Sequence, residues 1–148
     1  MNQKNATEFS GKCHCGAIGF VYRTGTEPAC WTIRACQCSF CRAHDALSTS
    51  EPGATIEFFA HQAEQLQRYR FGLRTADFLL CRECGVYIGA VIDTSKGRFG
   101  IINVHALTEA PHDLADIAPI SYDQENVAGR VSRREDRWAE VLAVPGPG

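Results

Sequence analysis

Cys36-Gln37-Cys38-Ser39-Phe40-Cys41 and, further along, Cys81-Arg82-Glu83-Cys84-Gly85 decide how this chain is read. The second stretch is a C-x2-C knuckle. Two intervening residues let both sulfurs face one tetrahedral ion, and a glycine just after them lets the turn close. A knuckle needs two more ligands, and Cys13-His14-Cys15-Gly16 can supply them, stapling the start of the chain to its middle. Four thiolates with no free position describe a structural zinc site. The first stretch is different in kind, with Cys36, Cys38 and Cys41 packed into six residues. Three protein ligands leave the fourth tetrahedral position for water or substrate, as in a catalytic zinc site. An ion held there keeps its thiols as thiolates at neutral pH, and would do the same for a thiol entering the open position.

Other uses of the eight cysteines stay open at this point. The clusters can form disulfides, or a C-x-x-C pair can be a thioredoxin-type redox couple, although that motif normally opens a helix in a βαβ context. Both zincs can be purely structural, with Cys30, His44 or His14 as the fourth ligand of the trio, and iron–sulfur ligation is a further use. Composition narrows the choice. The chain has 148 residues, enough for one domain, and a formal net charge of -2 with a pI near 6.2. No basic surface advertises nucleic acid or an anionic membrane. Met1 to Lys12 is polar, unlike a signal peptide, and no run of about 18 apolar residues occurs. The expected location is the cytoplasm, where thiols stay reduced and clustered cysteines serve metals or catalysis.

The pattern around the cysteines is β-rich. Ile18, Phe20 and Tyr22 alternate with small or polar residues, and Trp31 and Ile33 do the same on the way into Cys36. Ser48 to Gly53 reads as a turn. Thr55 to Ala60 and Gln67 to Phe71 read as a pair of strands, Phe78 to Leu80 as a strand running into Cys81, and Val86 to Ile92 and Phe99 to Val104 as two more. Ser132-Arg133-Arg134-Glu135 matches a capping box, predicting a helix with Trp138, Val141 and Leu142 on one face. The expected organisation is a flexible start over 1–9, one zinc domain over 10–142, and a flexible tail over 143–148.

Gly11-Lys12-Cys13-His14-Cys15-Gly16-Ala17, Cys36 to Arg42 and Cys81 to Gly85 occur in that order, followed by Ile102-Asn103-Val104-His105-Ala106-Leu107. This arrangement, over about residues 10 to 110, resembles the glutathione-dependent formaldehyde-activating enzyme family, which includes centromere protein V. The resemblance implies a mainly β fold, the β-tent of packed, bent antiparallel sheets, with one or two short C-terminal helices. It implies Zn2+ at two sites: Cys13, Cys15, Cys81 and Cys84 for the structural ion, and Cys36, Cys38 and Cys41 for the catalytic one. It also implies joining of glutathione or a related thiol to formaldehyde or another small aldehyde, formally a carbon–sulfur lyase reaction run in the synthetic direction. Gln37 stands where histidine is frequent in the family, so the substrate is left open.

Roles near the trio follow from residue chemistry. His44 is the acid/base candidate, because histidine titrates near neutrality. Arg42 is the first choice to hold a carboxylate of glutathione, being next to the cluster. Arg130, Arg133, Arg134 and Arg137 form a basic helical face expected to be solvated. Cys30 is expected to be a buried apolar residue, and Trp31 and Phe40 core residues. Asp116, Tyr122 and Asp123 receive no role. Two other functions fit the same cysteines, a non-catalytic zinc module that binds a partner and a thiol or metal sensor.

Overall fold

The computed structural model describes residues 6–111 and 113–146. Eleven strands are hydrogen-bonded into one sheet, mainly antiparallel, with two α-helices beside it. The expected mainly β fold is what the chain adopts, with two parallel pairings added to the antiparallel ones. Strands β1 (Thr7–Lys12), β2 (Ile18–Thr24) and β5 (Thr55–Ala60) form one antiparallel arm. A second run consists of β6 (Leu66–Tyr69), β7 (Asp77–Cys81), β8 (Tyr87–Thr94) and β9 (Gly97–Asn103), each paired with the next. The first six residues of β8 are all buried, as expected for a strand covered on both faces.

One edge of β9 carries β8. Its other edge is shared by β4 (Ser48–Thr49) and β11 (Ala139–Ala143). Ser50 stitches that junction: its hydroxyl donates to the Gly100 carbonyl at 2.7 Å and accepts from the Ala139 N–H at 2.6 Å. β11 also runs parallel to β5 and so joins the two arms. On the far side β4 pairs with β3 (Ile33–Cys36), and β10 (Ile117–Ile120) runs parallel to β3. Helix α1 (Ser39–His44) follows β3 after a two-residue turn, and α2 (Val127–Arg137) leads directly into β11.

The core holds Ile18, Phe20, Tyr22, Ile56, Leu79 and Ile88, each at most 1% exposed. Trp31 is buried too, its ring edge on Phe9 and Tyr22. No helix is long and apolar enough to cross a membrane among the described residues.

Several expectations are corrected. Thr55–Ala60 and Leu66–Tyr69 are both strands, but they pair with other strands and not with each other. Strand β1 begins at Thr7, inside the stretch expected to be flexible. Ser48–Thr49, read as part of a turn, is a strand. Helix α2 starts earlier than the capping box predicted: Asn126 is the N-cap, accepting from the Gly129 N–H at 2.7 Å. Glu135 instead accepts from Thr94 Oγ1. The helix stops at Arg137, so Trp138, Val141 and Leu142 do not share a helical face; β11 buries Val141 and exposes Leu142. Cys30 is exposed, at the end of a 3-10 turn, because Pro28 starts that turn on the surface.

Candidate metal centres and the arginine-walled cavity

All eight cysteines carry free thiols, and seven of them gather into two clusters. Cys13 follows β1, Cys15 lies in the turn before β2, Cys81 ends β7 and Cys84 lies in the turn before β8. The two turns are built alike. The Gly16 N–H bonds the Cys13 carbonyl at 3.2 Å and the Gly85 N–H bonds the Cys81 carbonyl at 2.8 Å. Both glycines are left-handed, at φ 85° and 83°, a conformation other residues adopt only at a cost. The four sulfurs lie within 4.8 Å of one another. Cys15 Sγ is 3.7 Å from Cys13 Sγ and 3.6 Å from Cys81 Sγ. A tetrahedron of sulfurs about 2.3 Å from a zinc ion has edges of about 3.8 Å.

Backbone amides converge on these sulfurs. Ile18 N donates to Cys13 Sγ at 3.4 Å, and Glu83 N and Cys84 N donate to Cys81 Sγ at 3.3 and 3.4 Å. Amides aimed at sulfur support thiolate over thiol. Burial alone would raise the Cys84 thiol, but backbone hydrogen bonds at Cys15 and Val86 bring it down to about 6. Burial pushes Cys81 up to about 12. The donor set, its spacing and its amides fit a four-thiolate metal site.

The second cluster sits where β3 meets α1. Cys36 is the last residue of β3, Cys38 is the N-cap of α1, and Cys41 lies buried in its first turn. The Cys38 sulfur accepts the Cys41 N–H at 3.4 Å. The Gln37 N–H bonds the Ile120 carbonyl of β10 at 2.9 Å and fixes the turn between them. The three ligand sulfurs lie within 4.8 Å of one another, and among the described residues no other histidine, cysteine or carboxylate completes the group. Hydrogen bonds with Cys36 and Cys41 pull the Cys38 thiol far below its ordinary range, whereas those with Cys36 and Cys38 push Cys41 far above it. Three sulfurs this close cannot all ionise without a cation among them. The trio therefore fits a metal ion bound by three thiolates.

A cavity of about 380 Å³ opens over the trio. Phe71, Phe78, Ile101 and Trp138 supply apolar wall, while Arg34, Arg130, Arg133 and Arg134 supply charge, faced by the single carboxylate of Asp123. Arg130, Arg133 and Arg134 of α2 thus turn into the cavity, against the expectation that this face is solvated, whereas Arg137 is exposed as expected. Glu125 occupies two of the four: its carboxylate accepts from Arg130 at 3.1 Å and from Arg133 at 2.7 and 3.1 Å. Arg133 also stacks 3.5 Å over the Tyr122 ring. Arg134 is only 6% exposed, and burial together with Arg133 and Arg130 lowers it to about 10. Tyr87 is fully buried in the same cluster of the core as Cys41, its hydroxyl has no partner, and burial and the trio push its pKa well up.

His44 and Arg42 lie elsewhere. Both are exposed and neither lines the cavity. His44 packs on Phe40, ring centres 4.5 Å apart, and lines a different groove with Cys84, Gly85 and His105. Helix α1 has only six residues, and Cys41 takes its inward face, so Arg42 and His44 point outward. Phe40 is half-buried among Tyr69, Phe71, Phe78 and Tyr87, and it does not line the cavity. Tyr122 and Asp123, given no role from sequence, are part of the cavity wall.

Residues 8–123 match the family model described as glutathione-dependent formaldehyde-activating enzyme. The chain belongs to that family. A structural-genomics crystal structure of a Rhodobacter sphaeroides protein is similar as well: it is 30% identical, with a TM-score of 0.57, over 75% of this chain and 99% of that one. Both cysteine clusters lie inside the span shared with the family, whereas helix α2 and β11 lie beyond it.

Proposed function

We propose that this chain is a cytoplasmic zinc enzyme that joins glutathione, or a related thiol, to formaldehyde or another small aldehyde and also cleaves the adduct. The observation that carries the reading is the three-cysteine cluster opening, with no fourth protein ligand among the described residues, into a cavity large enough for a small thiol. Family membership supports glutathione and formaldehyde as the reactants. In this reading Cys36, Cys38 and Cys41 hold a catalytic zinc, and Cys13, Cys15, Cys81 and Cys84 hold a structural one. The free clustered thiols favour a reducing compartment.

When bound at the trio, zinc supplies a site that keeps an entering thiol ionised and polarises a carbonyl. The rest is done by the chain's own residues. Phe71, Phe78, Ile101 and Trp138 exclude water around the reacting atoms and strengthen every charge interaction inside. The arginines of the wall offset the excess negative charge of three cysteine thiolates and favour an ionised substrate sulfur. In the synthetic direction the sulfur forms its bond to the carbonyl carbon, the π pair of the carbonyl moves onto oxygen, and that oxygen takes up a proton equivalent to the one the thiol lost. Arg42 and His44 are given no role in this reading, because neither lines the cavity.

Cobalt substitution tests the reading. Glutathione should alter the visible absorption of cobalt held at the trio in the wild-type chain and should not do so in Cys38→Ser. An unchanged spectrum with glutathione and with simpler thiols refutes it.

A further inference from the structure

Arg134 is a buried cation with no carboxylate against it. Its Nη1 donates to Thr75 Oγ1 at 2.6 Å and its guanidinium lies 4.8 Å over the Trp138 ring, but its Nε has no partner. None of the ion pairs among the described residues includes Arg134 or Arg34. Arg34 reaches the same cavity from β3. The acid lining the cavity and those carried on or just before α2 that make side-chain bonds are paired with other groups. Glu125 is held by Arg130 and Arg133, Asp123 accepts from Ser121 at 2.9 Å, and Glu135 accepts from Thr94. A buried guanidinium without a counter-charge is costly unless an anion joins it.

We propose that Arg134, together with Arg34, holds a carboxylate of the substrate, so that the cavity selects thiols and thiol adducts carrying an acid group over neutral ones. The inference rests on the reading that the trio receives the sulfur, and it adds which residues choose the molecule bearing that sulfur. Arg34 and the cysteines lie in the span shared with the family, but Arg134 comes from α2, beyond it. Choice of substrate is thereby set partly by an element separate from the metal-binding motifs. A guanidinium suits this task because its fixed fork of donors matches the two oxygens of a carboxylate.

The test uses the full chain loaded with cobalt. Its visible absorption is followed on titration with glutathione, glutathione diethyl ester, 3-mercaptopropionate and the methyl ester of 3-mercaptopropionate. Each acid should bind about 10- to 100-fold more tightly than its ester, the range for a hydrogen-bonded charge. In Arg134→Met and in Arg34→Met the acid-to-ester ratio should fall towards one while ester affinity stays within about threefold. Arg134→Lys should keep part of the preference. If Arg134→Met does not fold, Arg34→Met decides the matter. Equal binding of acid and ester to the wild-type chain overturns the inference and leaves the thiol site standing, as does an unchanged ratio in both methionine variants. A spectrum that no thiol alters overturns the reading of the trio itself.

Discussion

Replacing Cys81 by serine should cost far more stability than replacing Cys38, although each change removes one sulfur from one cluster. The difference lies in what the clusters connect. A metal at the first ties Cys13 to Cys81, closing a loop of about 70 residues, whereas one at the second ties Cys36 to Cys41 within six. Treating each as a cross-link on the unfolded chain, the closed loops are worth about 4.4 and about 2.2 kcal/mol at 25 °C. Local effects widen the gap. Cys81 is 1% exposed and its sulfur accepts two backbone amides, so a shorter serine hydroxyl leaves both poorly satisfied. Cys38 is a helix N-cap, a position where serine is among the best residues, so the replacement can still accept the Cys41 N–H. At about 2–4 °C per kcal/mol for a chain of this size, Cys81→Ser should lower Tm by about 9–18 °C. Cys38→Ser should lower it by no more than about 4–9 °C. Thermal melts by far-UV circular dichroism, with zinc measured per chain, read both effects; each variant should hold one zinc where the wild type holds two. The reasoning is refuted if Cys38→Ser is the more destabilised, or if Cys81→Ser loses its metal and keeps its Tm.

Tyr87→Phe removes a buried hydroxyl that has no partner, so urea unfolding should show stability unchanged or raised by up to about 1 kcal/mol; a clear loss would mean the hydroxyl is bonded in solution. Gly85→Ala places a side chain on a left-handed residue beside the knuckle and should cost about 1–2 kcal/mol, with faster zinc release to a chelator. Burial alone would raise the Asp77 carboxyl, but hydrogen bonds from Arg70 and Arg68 hold it below its ordinary value. Its folded-state pKa being lowered, the stability it contributes is fully present above the ordinary carboxylate pKa of about 4 and is lost as pH falls below that, through the lower folded-state value. Asp77→Asn should therefore cost about 2 kcal/mol at pH 7, with the urea midpoints of wild type and variant converging in acid as the carboxyl becomes protonated. Equal midpoints at pH 7 would exclude a stabilising pair.

The two cysteine clusters were legible because their signal is local. Cysteines two or three residues apart stay close whatever surrounds them, and the structure gathers the same seven into two groups that could each hold an ion. The strands on either side announced themselves by alternation, as in Ile18, Phe20 and Tyr22. Strand β1 did not, since Thr7-Glu8-Phe9-Ser10-Gly11-Lys12 is polar and is held by pairing with β2 and by the Glu8–Arg23 ion pair. The end of α2 was misread because Trp138 and Val141 satisfy a helical spacing as well as the start of a strand. What settles it is the pairing of Ala139 and Glu140 with Gly100 and Phe99, a contact remote in sequence. The cavity wall was hidden for the same reason. A row of arginines on a helix reads as a wet face, and only the docking of α2 beside β8 and β9 turns it inward. Proximity in sequence likewise favoured Arg42 and His44, which the short helix α1 carries to the outside.

Strand β11 is the last in chain order among the described residues, yet it lies between β5 and β9, where the two arms of the sheet meet. About 80 residues separate β5 from it, and at roughly 5–20 residues per second a ribosome takes about 4–16 s to deliver them. During that interval β5 presents an unpaired edge, and Cys81 and Cys84, the last of the clustered cysteines, are added well before α2 and β11. Helix α2 arrives immediately before β11, so the seam closes and the arginine wall is set in place in one concluding event. A nascent chain can thus bring its clustered cysteines together well before the chamber above them exists.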